Sequence, residues 1–279
     1  MARPGVTNAI ASLERTVGAR LLHRTTRRMS LTAEGEVLFE RARQLLGDVA
    51  EARHLFGGSG DAPRGRLRLG LPVALAKPLI IPRLREFRRT YPDVDIVMRV
   101  SDVPADLVGE GIDCVLRIGD LPVSSLMSRL FGRVTMATCA SPEYLRKNGT
   151  PSARDRGFGG HHGMLFLSGR TRRTMNFHFL DDGEGRVMKL RHGIVVNDAE
   201  AYVACAIAGF GVMQAPLAIV SDHLKAGRLV EVLPGNKAPP QPLSILYPNR
   251  RHLAPQVRAF MDLVTALLAS LDNGRVIKA

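Results

Sequence analysis

A run of five donor-bearing residues near the start of the chain has the side chains best suited to bind a polyanion. The run is Arg24, Thr25, Thr26, Arg27 and Arg28. Guanidinium and hydroxyl groups donate hydrogen bonds to phosphate oxygens. The flanking segments 21–23 and 29–31 read as short strands, so the pattern predicts a hairpin with a basic tip. This is typical of a winged DNA-binding element, although charge alone leaves open a solvated turn that binds nothing.

The elements on either side of this hairpin must position it. From Pro4 to Val17, apolar residues recur at spacings of four, three and four, which predicts an amphipathic helix that stops at Gly18. After the hairpin, Thr32 is a suitable N-cap. Acidic residues in the next turn would face the positive end of a second helix.

This second helix is predicted to run from Thr32 to about Phe56. Its apolar positions follow a 3.5-residue period, as in a coiled-coil seam. The seam consists of Leu38, Ala42, Leu45, Val49, Ala52 and Phe56. We favour a helix that dimerises with a second copy, and packing against its own domain is the alternative.

Charge and composition favour a nucleic-acid partner. The chain has 279 residues, 45% of them hydrophobic, and a net charge of +13. Residues 1–30 contain six Arg and one Glu, a local excess of +5, whereas residues 31–60 contain three Arg and five acids, a balance of −2. A local basic excess of this kind indicates a polyanion-binding surface. A second excess, from Lys77 to Arg99, reads as the solvated face of a helix.

The three cysteines are widely spaced and form no CxxC pair, which indicates a reducing compartment. No signal peptide and no apolar run of membrane-spanning length are visible. We therefore expect a cytoplasmic protein with no membrane partner. Walker A, HExxH and GxSxG motifs are missing, and the pair His161-His162 lacks further ligands at metal spacing. We expect no cofactor, no metal site and no enzymatic activity, with an enzyme on a binding-protein-like fold as a weak alternative.

A Gly-rich stretch at residues 57–65 predicts a flexible linker and a domain boundary. Beyond it, strands alternate with helices, which predicts an α/β domain with a mainly parallel sheet. The predicted strands are 67–71, 94–100, 114–118, 194–196, 212–214 and 243–247. The predicted helices are 78–90, 104–109, 199–208, 215–225 and 256–271.

In open α/β sheets, ligands bind beyond the carboxyl ends of the strands. The candidate effector-binding residues at these ends are Pro72, Val73, Ala74, Ser101, Asp102, Arg117, Gly119, Asn197 and Gln214. The helix after Val73 would offer backbone N–H groups to an anion. Arg117 would pair with a ligand carboxylate or with Asp102 or Asp113, and Asp198 reads better as a helix cap than as a ligand contact.

Several ordered segments resemble LysR-type transcriptional regulators. They are LERTVGARLLHRTTRRMSLTAEG (13–35), DLVGEGIDCVLRIGDLPVSSL (106–126), CASPEYLRKNGTP (139–151), VVNDAEA (195–201), AIAGFGV (206–212) and LYPNRRHLAPQVRAFMDLV (246–264). The resemblance implies an α/β fold class: an N-terminal winged helix-turn-helix, a long linker helix, and a two-subdomain effector domain like a periplasmic binding protein. It implies DNA, a small-molecule effector and further copies of the chain, as homodimer or tetramer, as partners.

The resemblance also implies boundaries and residue roles. A partial winged helix-turn-helix would occupy residues 1–31, a dimerising linker helix 32–57, a flexible linker 58–65 and the effector domain 66–279. Within the latter, subdomain I would comprise residues 66–138 and 244–272, and subdomain II residues 139–243. Arg3, Thr7 and Asn8 would lie on the exposed face of the recognition helix. Ala74 stands where many relatives have a hydroxyl, which favours a more apolar or differently held ligand than a typical small carboxylate.

The family normally has two more helices before the position of Met1. We therefore expect the true start to lie upstream, or the chain to be a fragment or an altered copy. The alternative function is a small-molecule-binding module whose incomplete helix-turn-helix does not bind DNA.

Overall fold

The computed structural model describes residues 3–24, 29–39, 41–42, 45, 62–121, 124–152, 160–181, 184–188, 190–248, 253–270 and 276–278. They fall into two units, Met1–Asp61 and Ala62–Ala279. Most of the predicted linker, residues 57–61, lies outside the described residues. Among the described residues, no helix has both the length and the apolar character needed to cross a membrane.

The first unit begins with helix α1 (Arg3–Val17), followed by a hairpin of strands β1 (Leu22–Arg24) and β2 (Met29–Leu31). The strands are antiparallel, with Arg24 opposite Met29. Helix α2 follows, described at residues 33–39, 41–42 and 45. Gly18 adopts a left-handed φ of 75° where α1 ends, which a side chain would disfavour. The helix–hairpin–helix order is the one predicted from the sequence.

The largest sheet of the second unit has six strands. They are β3 (Gly65–Leu71), β4 (Val94–Val100), β5 (Cys114–Ile118), β6 (Met127–Val134), β15 (Gln241–Tyr247) and β16 (Val276–Lys278), in the spatial order β16-β6-β15-β5-β3-β4. Strand β3 is parallel to β4 and β5, whereas β15 is antiparallel to both β5 and β6. The predicted mainly parallel sheet is therefore wrong: the sheet is mixed, because the chain returns to it from the opposite direction after a long excursion.

Helices pack against this sheet around its largest apolar core. They are α3 (Val73–Leu75), a π-helical segment (Ala76–Ile80), α4 (Ile81–Thr90) and α8 (Pro255–Ala269). Leu69 and Leu116 from the strands pack with Phe87 of α4 and Phe260 of α8. Burying large apolar side chains in this way supplies most of the favourable free energy of folding.

The excursion builds a second set of sheets. Its strands are β7 (Met136–Ala140), β8 (His162–Leu167), β9 (Thr174–Met175), β10 (Phe177–Asp181), β11 (Glu184–Met188), β12 (Arg191–Val196), β13 (Met213–Pro216) and β14 (Val230–Glu231). Its helices are α5 (Pro142–Asn148), α6 (Ala199–Ile207) and α7 (Leu217–Lys225). The chain leaves the six-stranded sheet between Val134 and Met136 and re-enters it at Gln241, a few residues before each predicted subdomain boundary.

Residues 104–109 were expected to be helical, and this expectation is wrong. Residues 107–111 form a turn instead. The Asp106 carboxylate accepts the Gly109 N–H at 3.0 Å, and Gly111 has a left-handed φ of 61°. An Asx-type bond followed by a left-handed glycine ends the helical conformation after one turn.

Candidate DNA-binding element and effector cleft

A carboxylate on α1 fixes the base of the basic hairpin. Oε1 of Glu14 accepts the backbone N–H of Leu21 at 2.8 Å and that of Leu22 at 3.3 Å. These amides lie where the chain leaves α1 and enters β1. Hydrogen bonds from backbone amides to a charged acceptor are stronger than neutral ones, so the hairpin has a fixed orientation relative to α1.

The other side of the hairpin is tied to α2 through Thr32. Its hydroxyl donates to the Arg20 carbonyl at 2.6 Å and accepts the Gly35 N–H at 2.9 Å, which confirms the predicted N-cap. A Cβ at Gly35 would collide with the Leu21 carbonyl oxygen. Thr32 and Gly35 together allow α2 to start directly against the base of the hairpin.

The predicted DNA-binding residues are distributed over α1 and the hairpin. Arg3 opens α1, and Thr7 and Asn8 lie on its exposed surface. Arg24 is the last residue of β1, paired with Met29. The remaining residues of the basic tip lie outside the described residues: Thr25, Thr26, Arg27 and Arg28. Three apolar residues of the α1 stripe are exposed, Val6 by 44%, Leu13 by 45% and Val17 by 46%.

In the second unit, the ends of β3, β4 and β5 bring four predicted site residues together, Val73, Ser101, Asp102 and Arg117. The Val73 N–H donates to Oδ1 of Asp102 at 3.1 Å. Arg117 donates to the backbone carbonyls of Ser101 at 3.4 Å and Val103 at 3.2 Å. The helix after Val73 was predicted to offer backbone N–H groups to an anion. Asp102 of the same subdomain accepts the Val73 N–H, and the Pro72 carbonyl accepts those of Leu75 and Ala76.

The Asp102 carboxyl group has an unusual environment. Burial raises the pKa of this carboxyl above its ordinary value, and the nearby Asp198 carboxylate acts in the same direction. The Val73 N–H, the charge of Arg117 and the Ala199 N–H oppose this shift. Burial also lowers the pKa of the Arg117 guanidinium, opposed by Asp102. Burial disfavours the charged form of both groups.

Of the alternatives for Arg117, Asp102 attracts its guanidinium electrostatically. Asp113 accepts the Arg68 N–H at 2.8 Å, which joins the start of β5 to β3. Ser101 accepts the Val103 N–H on its hydroxyl at 3.1 Å. Arg117 therefore holds the 101–103 loop that presents Asp102.

Apolar contacts join α3 of one subdomain to α6 of the other. Val73, Ala74 and Ala199 form a buried cluster, and Ile118, Phe166 and Ile219 pack against it. Pro72 precedes this cluster as the N-cap of α3, and its carbonyl accepts the N–H groups of the next helical turn. Gly119 has a left-handed φ of 95° and donates its N–H to the Pro242 carbonyl at 2.8 Å.

Two further predicted residues belong to subdomain II. The Gln214 side chain donates to Thr138 and to the His178 carbonyl, each at 3.0 Å, and accepts the His178 N–H at 3.0 Å. Because both its amide donors are used, Gln214 joins β10 to β13 and β7 and has no N–H left for an effector. Asn197 is exposed. Asp198 accepts the Ala201 N–H at 2.8 Å, which confirms the predicted cap.

Sequence reasoning missed two contacts across the cleft. A Cβ at Gly169 would lie 2.5 Å from the Asp102 carbonyl oxygen, so the loop after β8 approaches the 101–103 loop as closely as a glycine allows. Lys77 pairs with Glu200 at 2.7 Å beside a groove of about 460 Å³. No local signal reveals either contact, because the partners are 66 or more residues apart in sequence.

Among the described residues, no group of three or more His, Cys, Asp or Glu side chains could hold a metal ion. Cys139 is buried, and burial raises the pKa of its thiol to about 12. Gly209 and Gly211, both with positive φ, lie in the turn from α6 towards β13.

The fold and its contacts define a class of protein: a winged DNA-binding element joined in one chain to a two-subdomain α/β domain with a ligand cleft. Comparison with known proteins gives the family. Residues 60–269 match the LysR substrate binding domain, and residues 1–36 match the bacterial regulatory helix-turn-helix protein, lysR family. The chain belongs to the LysR family and is a transcriptional regulator with an effector-binding domain. The alternative of a binding module without DNA-binding function is not favoured, because the helix-turn-helix family also matches.

Similar proteins span most of the chain. An HTH-type transcriptional regulator of Escherichia coli (strain K12), YhjC, is 36% identical over 94% of this chain and 88% of its own length. An HTH-type transcriptional repressor of Pseudomonas aeruginosa (strain UCBPP-PA14) is 32% identical over 95% of this chain and 83% of its own length.

Solved structures of full-length regulators also match. The Vibrio cholerae virulence activator AphB is 26% identical with a TM-score of 0.61, over 95% of this chain and 90% of that one. CrgA, a LysR-type transcriptional regulator from Neisseria meningitidis, is 27% identical with a TM-score of 0.64, over 96% of this chain and 90% of that one.

Proposed function

We propose that this chain binds DNA through α1 and the tip of its basic hairpin, and that a small molecule in the cleft controls this binding. The observation that carries the DNA-binding part is the clamped base of the hairpin. Glu14 holds the entry to β1, and Thr32 holds the exit from β2 against the start of α2. A hairpin fixed at its base can present its tip in one orientation, which phosphate contacts require.

The role proposed for each residue follows from its side-chain chemistry. On α1, Arg3, Thr7 and Asn8 would read base edges, because Arg pairs with guanine and Asn with adenine in the major groove. Arg24, Thr25, Thr26, Arg27 and Arg28 would contact phosphate and the minor groove.

We also propose that the chain acts as a homodimer or tetramer with α2 as a contact between copies. Val37, Phe39 and Leu45 of α2 are 67%, 51% and 64% exposed. Leu45 belongs to the predicted seam, and the other two widen its apolar face. A second copy with the same face would bury these side chains, as in a coiled coil. The proposal includes a cytoplasmic location and no catalytic activity.

In the second unit, an effector would bias the angle between the two subdomains. Its candidate contacts are Pro72, Val73, Ala74, Ser101, Asp102, Arg117, Gly119 and Asn197. Gln214 fits a supporting role better than an effector contact, because its amide hydrogen bonds are already made within subdomain II.

The test is DNA binding by the full chain, with genomic fragments selected on the protein and sequenced. Replacing Arg24, Arg27 and Arg28 by Gln should weaken binding and reduce the salt dependence, by about 0.9 in log–log slope for each phosphate that is no longer neutralised. The matched control replaces Arg85, Arg88 and Arg89 on α4, which removes the same charge from an exposed helix face. An equal weakening of binding in both variants would reject a specific role for the hairpin.

A further inference from the structure

The Asp102 carboxyl group leaves one oxygen without a protein partner. Oδ1 accepts the Val73 N–H at 3.1 Å, whereas Oδ2 is buried and accepts no hydrogen bond from any residue that the structure describes. Buried polar atoms in folded proteins nearly always have a hydrogen-bond partner, because a lost bond to water must be replaced. The Ala199 N–H, at the start of α6, acts on this carboxyl group and lowers its pKa, but it forms no hydrogen bond with Oδ2. Oδ2 therefore identifies a position where no described donor stands in hydrogen-bonding geometry.

The charges around Asp102 do not supply that donor. Arg117 is the nearby cation, and it donates to the carbonyls of Ser101 and Val103. Asp198, at the start of α6, is a second carboxylate in the electrostatic environment of Asp102 and opposes its ionisation. Two carboxylates from opposite subdomains thus face one region, which favours a cationic or N–H-bearing group over an anion.

The remaining walls of this region are apolar. Val73, Ala74 and Ala199 are buried together, and Phe166 packs against them. The side chain of Ala74 can donate no hydrogen bond to a ligand carboxylate. A ligand that matches both features has a small apolar body and a donor at one end.

The two subdomains meet closely at Asp102. A Cβ at Gly169 would lie 2.5 Å from the Asp102 carbonyl oxygen and 2.9 Å from Cα of Val103. This approach brings the loop after β8 against the backbone of the 101–103 loop. The contact between the subdomains therefore lies beside the residue whose Oδ2 is buried.

We propose that the effector of this cleft carries an ammonium or other N–H donor on a small apolar body, and that Oδ2 of Asp102 accepts this donor. This inference rests on the proposed effector-sensing function and names the ligand class for that site. Closure without the ligand buries an unpaired carboxyl oxygen, which is unfavourable in free energy. A ligand that donates a hydrogen bond to this oxygen removes that cost. The ligand thus stabilises the closed cleft relative to the open one.

The test is calorimetric titration of the full chain with three compounds of one shape: benzylamine, benzyl alcohol and benzoate. We expect benzylamine to bind at least about tenfold more tightly than benzoate, with benzyl alcohol between them. Benzoate binding as tightly as benzylamine, or no measurable binding of benzylamine, would overturn the proposal.

Two variants assign the preference to Asp102. Asp102→Asn should abolish the preference for benzylamine, and Asp95→Asn, which removes the same charge from an exposed position of β4, should retain it. Thermal unfolding of each variant establishes that it is folded. A preference for benzylamine that remains in the folded Asp102→Asn variant would contradict its assignment to Asp102.

Gly169→Ala tests the coupling to closure without changing any carboxylate. The added methyl group should weaken benzylamine binding, because it separates the two loops. Unchanged benzylamine affinity would refute the coupling. DNA binding measured on the same preparations separates this inference from the proposed function. If DNA is bound and benzylamine is not, only the ligand class fails; if neither DNA nor any of the three compounds is bound, the proposed function fails.

Discussion

Two carboxylates, one in each unit, accept backbone N–H groups and have opposite consequences. Glu14 uses one oxygen to accept two amides, those of Leu21 and Leu22, at a partly buried site. Asp102 accepts the single amide of Val73, and its second oxygen is buried without a described partner. The first carboxylate stabilises the fold of its unit, whereas the second carries a desolvation cost that its one hydrogen bond offsets only in part.

The comparison shows that supporting residues and predicted binding residues are separate in the first unit and overlap in the second. In the first unit, the contacts of Glu14, Thr32 and Gly35 fix the base of a hairpin whose predicted binding residues lie at its tip. In the second unit, the predicted binding residues are themselves part of the supporting network, as with Arg117 and the 101–103 loop. Substitution of Glu14 or Gly35 should therefore lower the stability of the first unit, whereas substitution of Asp102 should raise the stability of the second.

The largest expected effect is that of Gly35→Ala. The methyl group would collide with the Leu21 carbonyl, a backbone atom that cannot move without shifting the hairpin. We expect about 1–3 kcal/mol of local destabilisation and a loss of DNA affinity. Hydrogen exchange of peptides covering residues 13–36 measures the local destabilisation. Gly193→Ala is the control, since nothing lies within 4 Å of its added Cβ. Equal protection in both variants would contradict the steric argument.

Glu14→Ala should have the next largest effect. It leaves the Leu21 and Leu22 amides without their acceptor, at an expected cost of about 1–2 kcal/mol. Glu14→Gln retains a side-chain oxygen and should lose less. Hydrogen exchange at these two amides provides the measurement. If Glu14→Ala and Glu14→Gln lose equal protection, the charge of Glu14 rather than its acceptor oxygen holds the hairpin.

Asp102→Asn should change stability in the opposite direction. Its folded-state pKa is raised, so ionisation disfavours the folded state as the pH rises above the ordinary Asp value of 3.8. The neutral Asn side chain does not ionise, so it avoids this loss of stability. We expect a melting temperature about 1–3 °C higher near neutral pH. The gain should shrink as the pH falls and Asp102 is protonated in both states. Asp198 of α6 and Arg117 of β5 are the charged groups that modulate it. Thermal unfolding at pH 7.5 and pH 4.5 decides; a lower melting temperature at neutral pH would contradict the comparison.

The smallest expected effect concerns the Lys77–Glu200 pair between the subdomains. The side chains of Lys77 and Glu200 are 61% and 47% exposed, so solvent screens their attraction. A double-mutant cycle with Lys77→Met and Glu200→Gln should give a coupling below about 0.5 kcal/mol, falling further at high salt. A coupling several times larger would mean that this pair, rather than the apolar contact of Ala74 with Ala199, holds the cleft closed.

Local patterns in the sequence predicted many elements but not how they pair. The predicted strands at 94–100 and 114–118 match β4 and β5 in both bounds, because each is a short apolar run between turn residues. Strands β6 to β11, β14 and β16 were not predicted, and neither was the antiparallel insertion of β15 between β5 and β6. The partners of β15 are separated from it by more than 100 residues of chain, and loop closure over such a distance leaves no local trace in sequence.

The prediction of site residues succeeded where chemistry is local. Asp198 and Thr32 cap their helices as predicted, since a cap needs only an acceptor three residues before the amide it satisfies. Arg117 and Gln214 were predicted as effector contacts from their positions at strand ends. Their guanidinium and amide groups also bond to protein atoms from other elements, which strand position alone does not reveal.

The sequence by itself determined the helix–hairpin–helix order of the first unit, the basic hairpin tip and the alternating elements of the second unit. Periodicity, capping and charge act over a few residues and are therefore visible in the chain. Only the tertiary structure decided that Oδ2 of Asp102 is buried without a hydrogen-bond partner among the described residues, that Arg117 supports the 101–103 loop, and that Gly169 lies against the backbone of this loop. These properties depend on which groups meet across the fold, because the cost of burying a polar atom is set by the partners that packing brings to it.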